Sequence, residues 1–185
     1  MLRCFGEAPD SSLLIARGAA ASSEGECARR LLAPFFPSAT LAARLAEPEC
    51  TAIVALDDKG QLEAYGWLRH ATREPIWFDA FEISRGSALF FNGFVVESRR
   101  RRGVYSRLLT AAFRDLAARP NCERVFLVVE RSNTPARRHA EKFGLDRVAT
   151  NWLVKRFGRN VLSIYASRLG FRAYAVSRHA AVARL

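Results

Sequence analysis

The sequence has no Cys-x-x-Cys pair, only three histidines, and no apolar run near the ~18 residues that a membrane-spanning helix needs. Its four cysteines, Cys4, Cys27, Cys50 and Cys122, are scattered and read as reduced thiols rather than a disulfide framework. His70, His139 and His179 lie too far apart to suggest a metal site, so no metal is expected. The opening residues, Met1 to Glu7, lack the apolar core of a secretion signal, and the protein is expected to be soluble and cytoplasmic. No repeat, low-complexity tract or long linker interrupts the chain.

Acid is scarce where base is plentiful. Residues 1–97 hold 9 Lys and Arg against 13 Asp and Glu, a net of −4, whereas residues 98–185 hold 20 against 5, a net of +15. A basic half calls for an anionic partner: nucleotide phosphates, nucleic acid or a membrane surface. Of the 29 basic residues 26 are arginine and alanine is abundant, so part of the excess matches the coding bias of a GC-rich genome. With 185 residues, half apolar and a quarter charged, the chain suits one globular domain over 1–185 with a sizeable core.

Ser12 to Gly18 predicts a short first strand. Ser23-Glu24-Gly25-Glu26 fits a capping box that opens a helix through Cys27, Leu31 and Leu32 to near Pro34. A second short helix is expected from Thr40 to Ala46, ahead of Pro48. Thr51–Leu56 and Leu62–Leu68 flank Asp57-Asp58-Lys59-Gly60, a hairpin pattern. Ile76–Ile83 predicts one strand and Ala88–Val96 a mostly buried one. Val104, Leu108, Leu109, Ala112, Phe113 and Leu116 recur at helical spacing, and the helix stops before Pro120. Val125–Val129 is a β-branched run suited to a covered sheet. Ser132-Asn133-Thr134-Pro135 starts another helix, ended by Gly144. Val148 to Phe171 supplies one or two further strands. This order makes a mixed α/β sheet.

The chemistry concentrates where a buried strand runs into an arginine-rich loop and the loop opens a helix: Phe94-Val95-Val96-Glu97-Ser98-Arg99-Arg100-Arg101-Arg102-Gly103-Val104-Tyr105-Ser106. A helix start presents unpaired amides and about half a positive charge, a ready anion site to which guanidinium groups add bidentate phosphate contacts. Gly103 lets a phosphate approach the backbone without a Cβ. The segment resembles the acyl-CoA-binding motif of the GNAT family, Arg/Gln-x-x-Gly-x-Gly/Ala, with Arg100, Gly103 and Tyr105 on its three defined positions. Asn133-Thr134-Pro135-Ala136 and Glu141-Lys142-Phe143-Gly144-Leu145 are similar to a second family segment, so the likeness covers roughly residues 50 to 148.

The resemblance implies a mostly antiparallel central sheet flanked by helices and a cofactor-binding core at about 88–145. It implies acetyl-CoA as co-substrate: the amides and side chains of Arg100, Arg101, Arg102, Gly103, Val104, Tyr105 and Ser106 on the pyrophosphate, the main chain of Phe94, Val95 and Val96 along the pantetheine arm, and a hydrogen bond from Asn133. Two positions depart from the family. Tyr105 replaces a small residue, and Ala140 stands where many members carry a tyrosine that protonates the departing thiolate.

Acyl transfer to an amine needs alignment, a base and relief of charge at the oxyanion. Glu82, Asp79 and Asn92 are the candidates, Asn92 to hold a water or bind substrate; each also suits a solvent-facing strand position. Trp67, Trp77, Phe78 and Phe81 fit an acceptor pocket or a strand core equally. His139 fits a packed helix residue. The expected function is transfer of an acetyl group to a small-molecule amine, with an anionic acceptor or peripheral contact with anionic lipid compatible with the basic C-terminal stretch. Two alternatives stand beside it: an acyltransferase for longer chains, and a non-catalytic nucleic-acid-associated module, against which the lack of an RNA- or DNA-binding motif counts.

Overall fold

The computed structural model describes residues 13–17, 22–78, 81–147, 149–156, 159–167, 170–176 and 182–184. In chain order the elements are β1 (Leu13–Arg17), α1 (Ser23–Leu32), a 3-10 turn (Ala33–Phe35), α2 (Ser38–Ala46), β2 (Cys50–Leu56), β3 (Leu62–His70), β4 (Ile76–Phe78), β5 (Phe81–Ile83) and β6 (Ser87–Val95). A second 3-10 turn (Glu97–Arg99), α3 (Val104–Ala117), β7 (Arg124–Leu127), α4 (Thr134–Lys142), β8 (Ala149–Arg156), β9 (Arg159–Ser167), β10 (Gly170–Val176) and β11 (Val182–Arg184) complete it. The chain divides into two compact units, one from the residues up to Thr72 with Gly86–Glu130, the other from Arg73–Arg85 with Arg131–Leu185.

The first unit is a five-stranded sheet in the order β1-β2-β3-β6-β7. Its first four strands are antiparallel, and only β6 and β7 run parallel. The β2–β3 hairpin is closed by Asp57, whose Oδ1 accepts from the amides of Lys59 and Gln61, both at 2.9 Å. Adjacent residues on β6 point to opposite faces of the sheet. Phe90 meets Tyr105 of α3, while Phe91 meets Arg44 of α2. Helix α3 covers the first face with Val104, Leu108, Leu109, Ala112 and Leu116, all buried. Its one buried acid, Asp115, is held by Arg119 at 2.5 Å, and Arg119 also donates to the Thr51 hydroxyl at 2.8 Å. No helix among the described residues is long and apolar enough to cross a membrane.

The second unit holds the β4–β5 ladder, α4, and a four-stranded antiparallel sheet in the order β11-β10-β9-β8. Helix α4 ends in a Schellman closure, Leu145 N–H to Ala140 O at 3.1 Å and Gly144 N–H to Glu141 O at 2.9 Å. Gly144 takes the left-handed φ of 75° which that closure requires.

Three sequence expectations need correction. The α1 cap is Ser22, whose hydroxyl accepts from Gly25 N–H at 3.1 Å, one residue before the Ser23 of the expected box. Helix α2 begins at Ser38 rather than Thr40. The single strand expected over Ile76–Ile83 is two three-residue strands paired to each other. Val148–Phe171 holds the two strands β8 and β9, within the one or two expected there, and β10 and β11 extend the sheet beyond that span.

Candidate active site

Strand β6 supplies the first wall. Its ladder with β7 runs from Ser87–Arg124 to Phe90–Leu127, followed by a long hydrogen bond of 3.4 Å from Val128 N–H to Phe90 O. Beyond Phe90 the strand continues to Val95, paired among the described residues with β3 alone. On that stretch the register shifts: Trp67 pairs with Phe91 and Tyr65 with Phe94, so β6 spends one residue more than β3. Such an insertion is a β-bulge. Asn92 takes a φ of 49° there. A Cβ on Gly93 would lie 2.9 Å from both the Phe90 and the Tyr105 rings, so the bulge admits no side chain at that residue.

The turn after β6 is built by charge. Val96 N–H bonds to Glu63 O at 2.9 Å, and the 3-10 turn closes with Arg99 N–H to Val96 O at 2.9 Å. Arg99 Nη2 reaches Asp57 Oδ2 at 2.5 Å and its Nη1 lies 3.8 Å from Glu63 Oε1. Arg107, one turn into α3, holds the other Glu63 oxygen at 2.5 Å. The amides of Gln61 and Lys59 and the Arg99 charge hold the Asp57 carboxyl below its ordinary range. Glu63, with only 9% of its side chain exposed, thus ties the turn and the helix start to the hairpin. The acids of the N-terminal half therefore neutralise part of the basic run.

The rest of that run is available. Arg100 Nε–H donates to Val95 O at 3.3 Å, and its Nη1 stands 3.8 Å from the exposed Glu97. Arg101, at φ 63°, and Arg102 are exposed and make no ion pair or side-chain hydrogen bond among the described residues. Gly103 caps α3 with a φ of 75° and no side-chain cap, and the first helical bond is Arg107 N–H to Gly103 O at 3.1 Å. A Cβ at Gly103 would meet nothing within 4 Å, so the space above this helix start is open. Tyr105 turns away from that space: its ring packs edge-on against Phe90 at 6.4 Å, and burial pushes the phenol up to about 12.

The opposite face of the sheet carries an aromatic cluster. Tyr65 stacks on Phe94 at 5.4 Å, and Phe35 leans on both at 5.3 and 5.4 Å. Phe36 meets Trp67 edge-on at 5.9 Å. Arg44 of α2 sits 5.1, 5.3 and 5.2 Å from the ring centres of Phe36, Trp67 and Phe91. With the Asn92 amide turned so that its oxygen faces the guanidinium, that oxygen accepts from both terminal nitrogens of Arg44 at 3.1 Å.

Of the expected site residues, the first unit brings together Asn92, Phe94, Val95, Val96 and the Arg100–Ser106 turn. Glu82 is exposed on β5, opposite Trp77 in the second unit, and Asp79 lies outside the described residues. Trp67 is core of the five-stranded sheet, whereas Trp77, Phe78 and Phe81 belong to the β4–β5 ladder. Asn133 caps α4, its Oδ1 accepting from Ala136 N–H at 3.1 Å. His139 packs on Phe143 at 5.0 Å, and burial with the Lys142 charge lowers its pKa. Glu63, Arg107 and Arg44 were missed from sequence. Their partners lie 44 residues away for the Glu63–Arg107 pair and on another element for Arg44, so no local pattern announces them.

A strand that parts from its parallel neighbour, then a glycine-capped helix start beside the exposed Arg101 and Arg102, is an arrangement whose amides and guanidinium groups suit an anion. The chain belongs to the acetyltransferase (GNAT) family, which it matches over residues 22–145. Members of this family take their acetyl group from acetyl-CoA. A putative acetyltransferase from Agrobacterium tumefaciens is similar at 24% identity, with a TM-score of 0.53 over 78% of this chain and 99% of that one. An aminoglycoside N-acetyltransferase in complex with CoA is similar at 18% identity and a TM-score of 0.54, over 80% and 98% of the two chains. A ribosomal-protein-alanine N-acetyltransferase from Brucella melitensis biovar Abortus matches at 16% identity and a TM-score of 0.53, over 78% and 99%. At these identities the likeness is one of fold. No curated protein matches the chain in sequence.

Proposed function

We propose that the protein transfers an acetyl group from acetyl-CoA to an amine of a small molecule, within one domain that spans the chain. The cofactor is held by the turn from Arg100 to Ser106 and along Phe94, Val95 and Val96. One observation carries this reading: Gly103, in a left-handed conformation with open space above it, starts α3 at the end of the arginine-rich turn that follows a strand which has left its neighbour. A pyrophosphate fits that opening, where first-turn amides and the exposed Arg101 and Arg102 converge on negative charge. The main chain of 94–96 lies beyond the last β6–β7 pair, which leaves a strand edge for an extended amide-bearing arm. Asn133 spends its oxygen on the helix cap, which leaves its Nδ2 as a hydrogen-bond donor.

The bound thioester supplies the acetyl group and a leaving thiolate. Glu82, an exposed carboxylate, is the candidate to receive the amine proton through water. Asn92 would hold that water or the acceptor itself. Ala140 has no proton to give, and burial with the Lys142 charge disfavours the His139 cation, so neither is assigned as the acid on α4.

Native mass spectrometry of the purified protein, followed by thiol release with a panel of amines and a series of acyl-CoA chain lengths, tests the reading. Retained or added acetyl-CoA and amine-dependent thiol release are expected. Absence of any acyl-CoA affinity, or tight binding to a defined nucleic-acid sequence at physiological salt, would overturn it.

A further inference from the structure

The half-buried Arg44 lacks the partner that its environment calls for. Its guanidinium is walled by three aromatic rings, and its hydrogen bonds among the described residues are the two to Asn92 Oδ1. Glu47, just past the end of α2, is engaged by Arg69 at 2.5 Å. Among the described residues no carboxylate forms an ion pair with Arg44; the Glu47 charge supports it only weakly, while burial, the chief influence, disfavours its charge. A guanidinium has five N–H donors, of which Asn92 uses two; the remaining three include an Nε–Nη edge of the shape that grips a carboxylate in a bidentate pair.

A second observation points the same way. The Trp67 indole N–H is fully buried in this cluster with no hydrogen-bond partner, which is costly unless something polar arrives. The aromatic cluster is partly open at one edge: Phe35 is 39% exposed, and it leans on Tyr65 and Phe94. All of this adjoins the bulge at Asn92, on the stretch of β6 that continues past β7.

We infer that this face is the acceptor subsite and that its acceptor is an amine bearing both a carboxylate, gripped by Arg44, and an apolar or aromatic body laid on Phe35, Tyr65 and Phe94. The inference rests on the cofactor reading above, because it takes β6 as the strand along which the acetyl group is presented. The rings fix the guanidinium in place, so little side-chain entropy remains to be lost when the carboxylate binds. Asn92 occupies two of the donors and leaves the other three to the carboxylate.

Phenylalanine and phenylalaninamide serve as probes, since they share the aromatic body and the amine and differ in the carboxylate. Calorimetric binding of each, and of CoA, is measured on wild type, Arg44→Gln, Arg44→Lys and Asn92→Asp. Comparing the ratio of the two probes between variants cancels the difference in their amine pKa values. Wild type is expected to favour phenylalanine, and Arg44→Gln to lower that preference roughly 10- to 100-fold, the range of a hydrogen-bonded charge pair. Arg44→Lys should keep part of it. Asn92→Asp, which sets a competing carboxylate against Arg44, should weaken phenylalanine more than its amide, and it covers the case in which Arg44→Gln fails to fold.

Equal affinity of wild type for the two probes, or equal loss of both in Arg44→Gln, would overturn the inference and leave Arg44 as packing. Failure of both probes to bind a protein that binds CoA would also overturn it. Failure of CoA itself to bind would instead strike the cofactor reading.

Discussion

Gly103 separates two effects that a single substitution usually mixes. It has a φ of 75°, and a Cβ added there would meet nothing within 4 Å. Alanine therefore brings no clash, only the left-handed strain of about 1–2 kcal/mol, or roughly 2–6 °C in Tm for a chain of this size. Asparagine tolerates this conformation and should cost less. Glutamate carries the same strain plus a negative charge roughly 5 Å from where a pyrophosphate would sit. At an effective dielectric of about 20 each such pair repels by about 3 kcal/mol, and exposure and salt reduce this to about 1.5–3 kcal/mol. Gly103→Glu should thus weaken CoA roughly 10- to 100-fold beyond Gly103→Ala at nearly the same Tm. Calorimetry of CoA binding with thermal unfolding of all three variants makes the comparison. If alanine and glutamate weaken CoA equally, backbone strain is responsible and no phosphate lies near Gly103. If a folded Gly103→Glu binds CoA as wild type does, the cofactor turn is elsewhere.

Glu63→Gln leaves Arg99 and Arg107 without their shared anion; partial exposure of both arginines holds the loss to about 1–3 kcal/mol, read as a lower Tm with several-fold weaker CoA binding. Gly93→Ala would drive a methyl to 2.9 Å from two rings and should cost about 1–3 kcal/mol by overpacking, measured by urea unfolding. His70 is 3% exposed, and burial lowers its pKa. The folded protein therefore binds fewer protons there than the unfolded chain, so stability falls as pH drops below about 6.5, and His70→Gln should flatten that slope in urea midpoints taken from pH 7.5 to 5. His139→Ala should leave turnover within about tenfold, ~1.4 kcal/mol in barrier, with a wild-type rate that rises with pH and flattens; a bell whose alkaline limb vanishes in the variant would show that His139 is the acid after all.

What the sequence made legible was local. The α3 face follows from helical spacing, the β2–β3 hairpin from its turn residues, and the turn from Arg100 to Ser106 from the order strand, loop, helix. Each depends on neighbours within a few residues. What it hid was long-range pairing: Arg99 is one more residue of a four-arginine run until Asp57, 42 residues earlier, is seen to hold it. The α1 cap slipped by one because Ser22 and Ser23 are equivalent acceptors on paper, and only the backbone decides which hydroxyl faces Gly25 N–H. Ile76–Ile83 read as one strand because its apolar residues continue on both sides of Asp79-Ala80, which carry no glycine or proline to mark a break.

The least legible feature is also the one that joins both halves of the candidate site. Without an extra residue in β6, strand alternation would send Phe91 to the α2 face and Phe94 to the α3 face. The insertion at Asn92–Gly93 reverses that parity, so Phe94 stacks on Tyr65 on the same side as Trp67 and Phe91. It also bares a backbone with no Cβ at Gly93, against which the Tyr105 ring of α3 packs. The helix that would receive the pyrophosphate and the aromatic face that would receive the acceptor therefore rest on the same two residues, from opposite sides of the sheet. Tyr105 in place of a small residue then has a physical reason. A ring is the side chain that fills the gap left by a glycine at the bulge, and in filling it the ring fixes the start of α3 relative to the strand along which the acetyl group is presented.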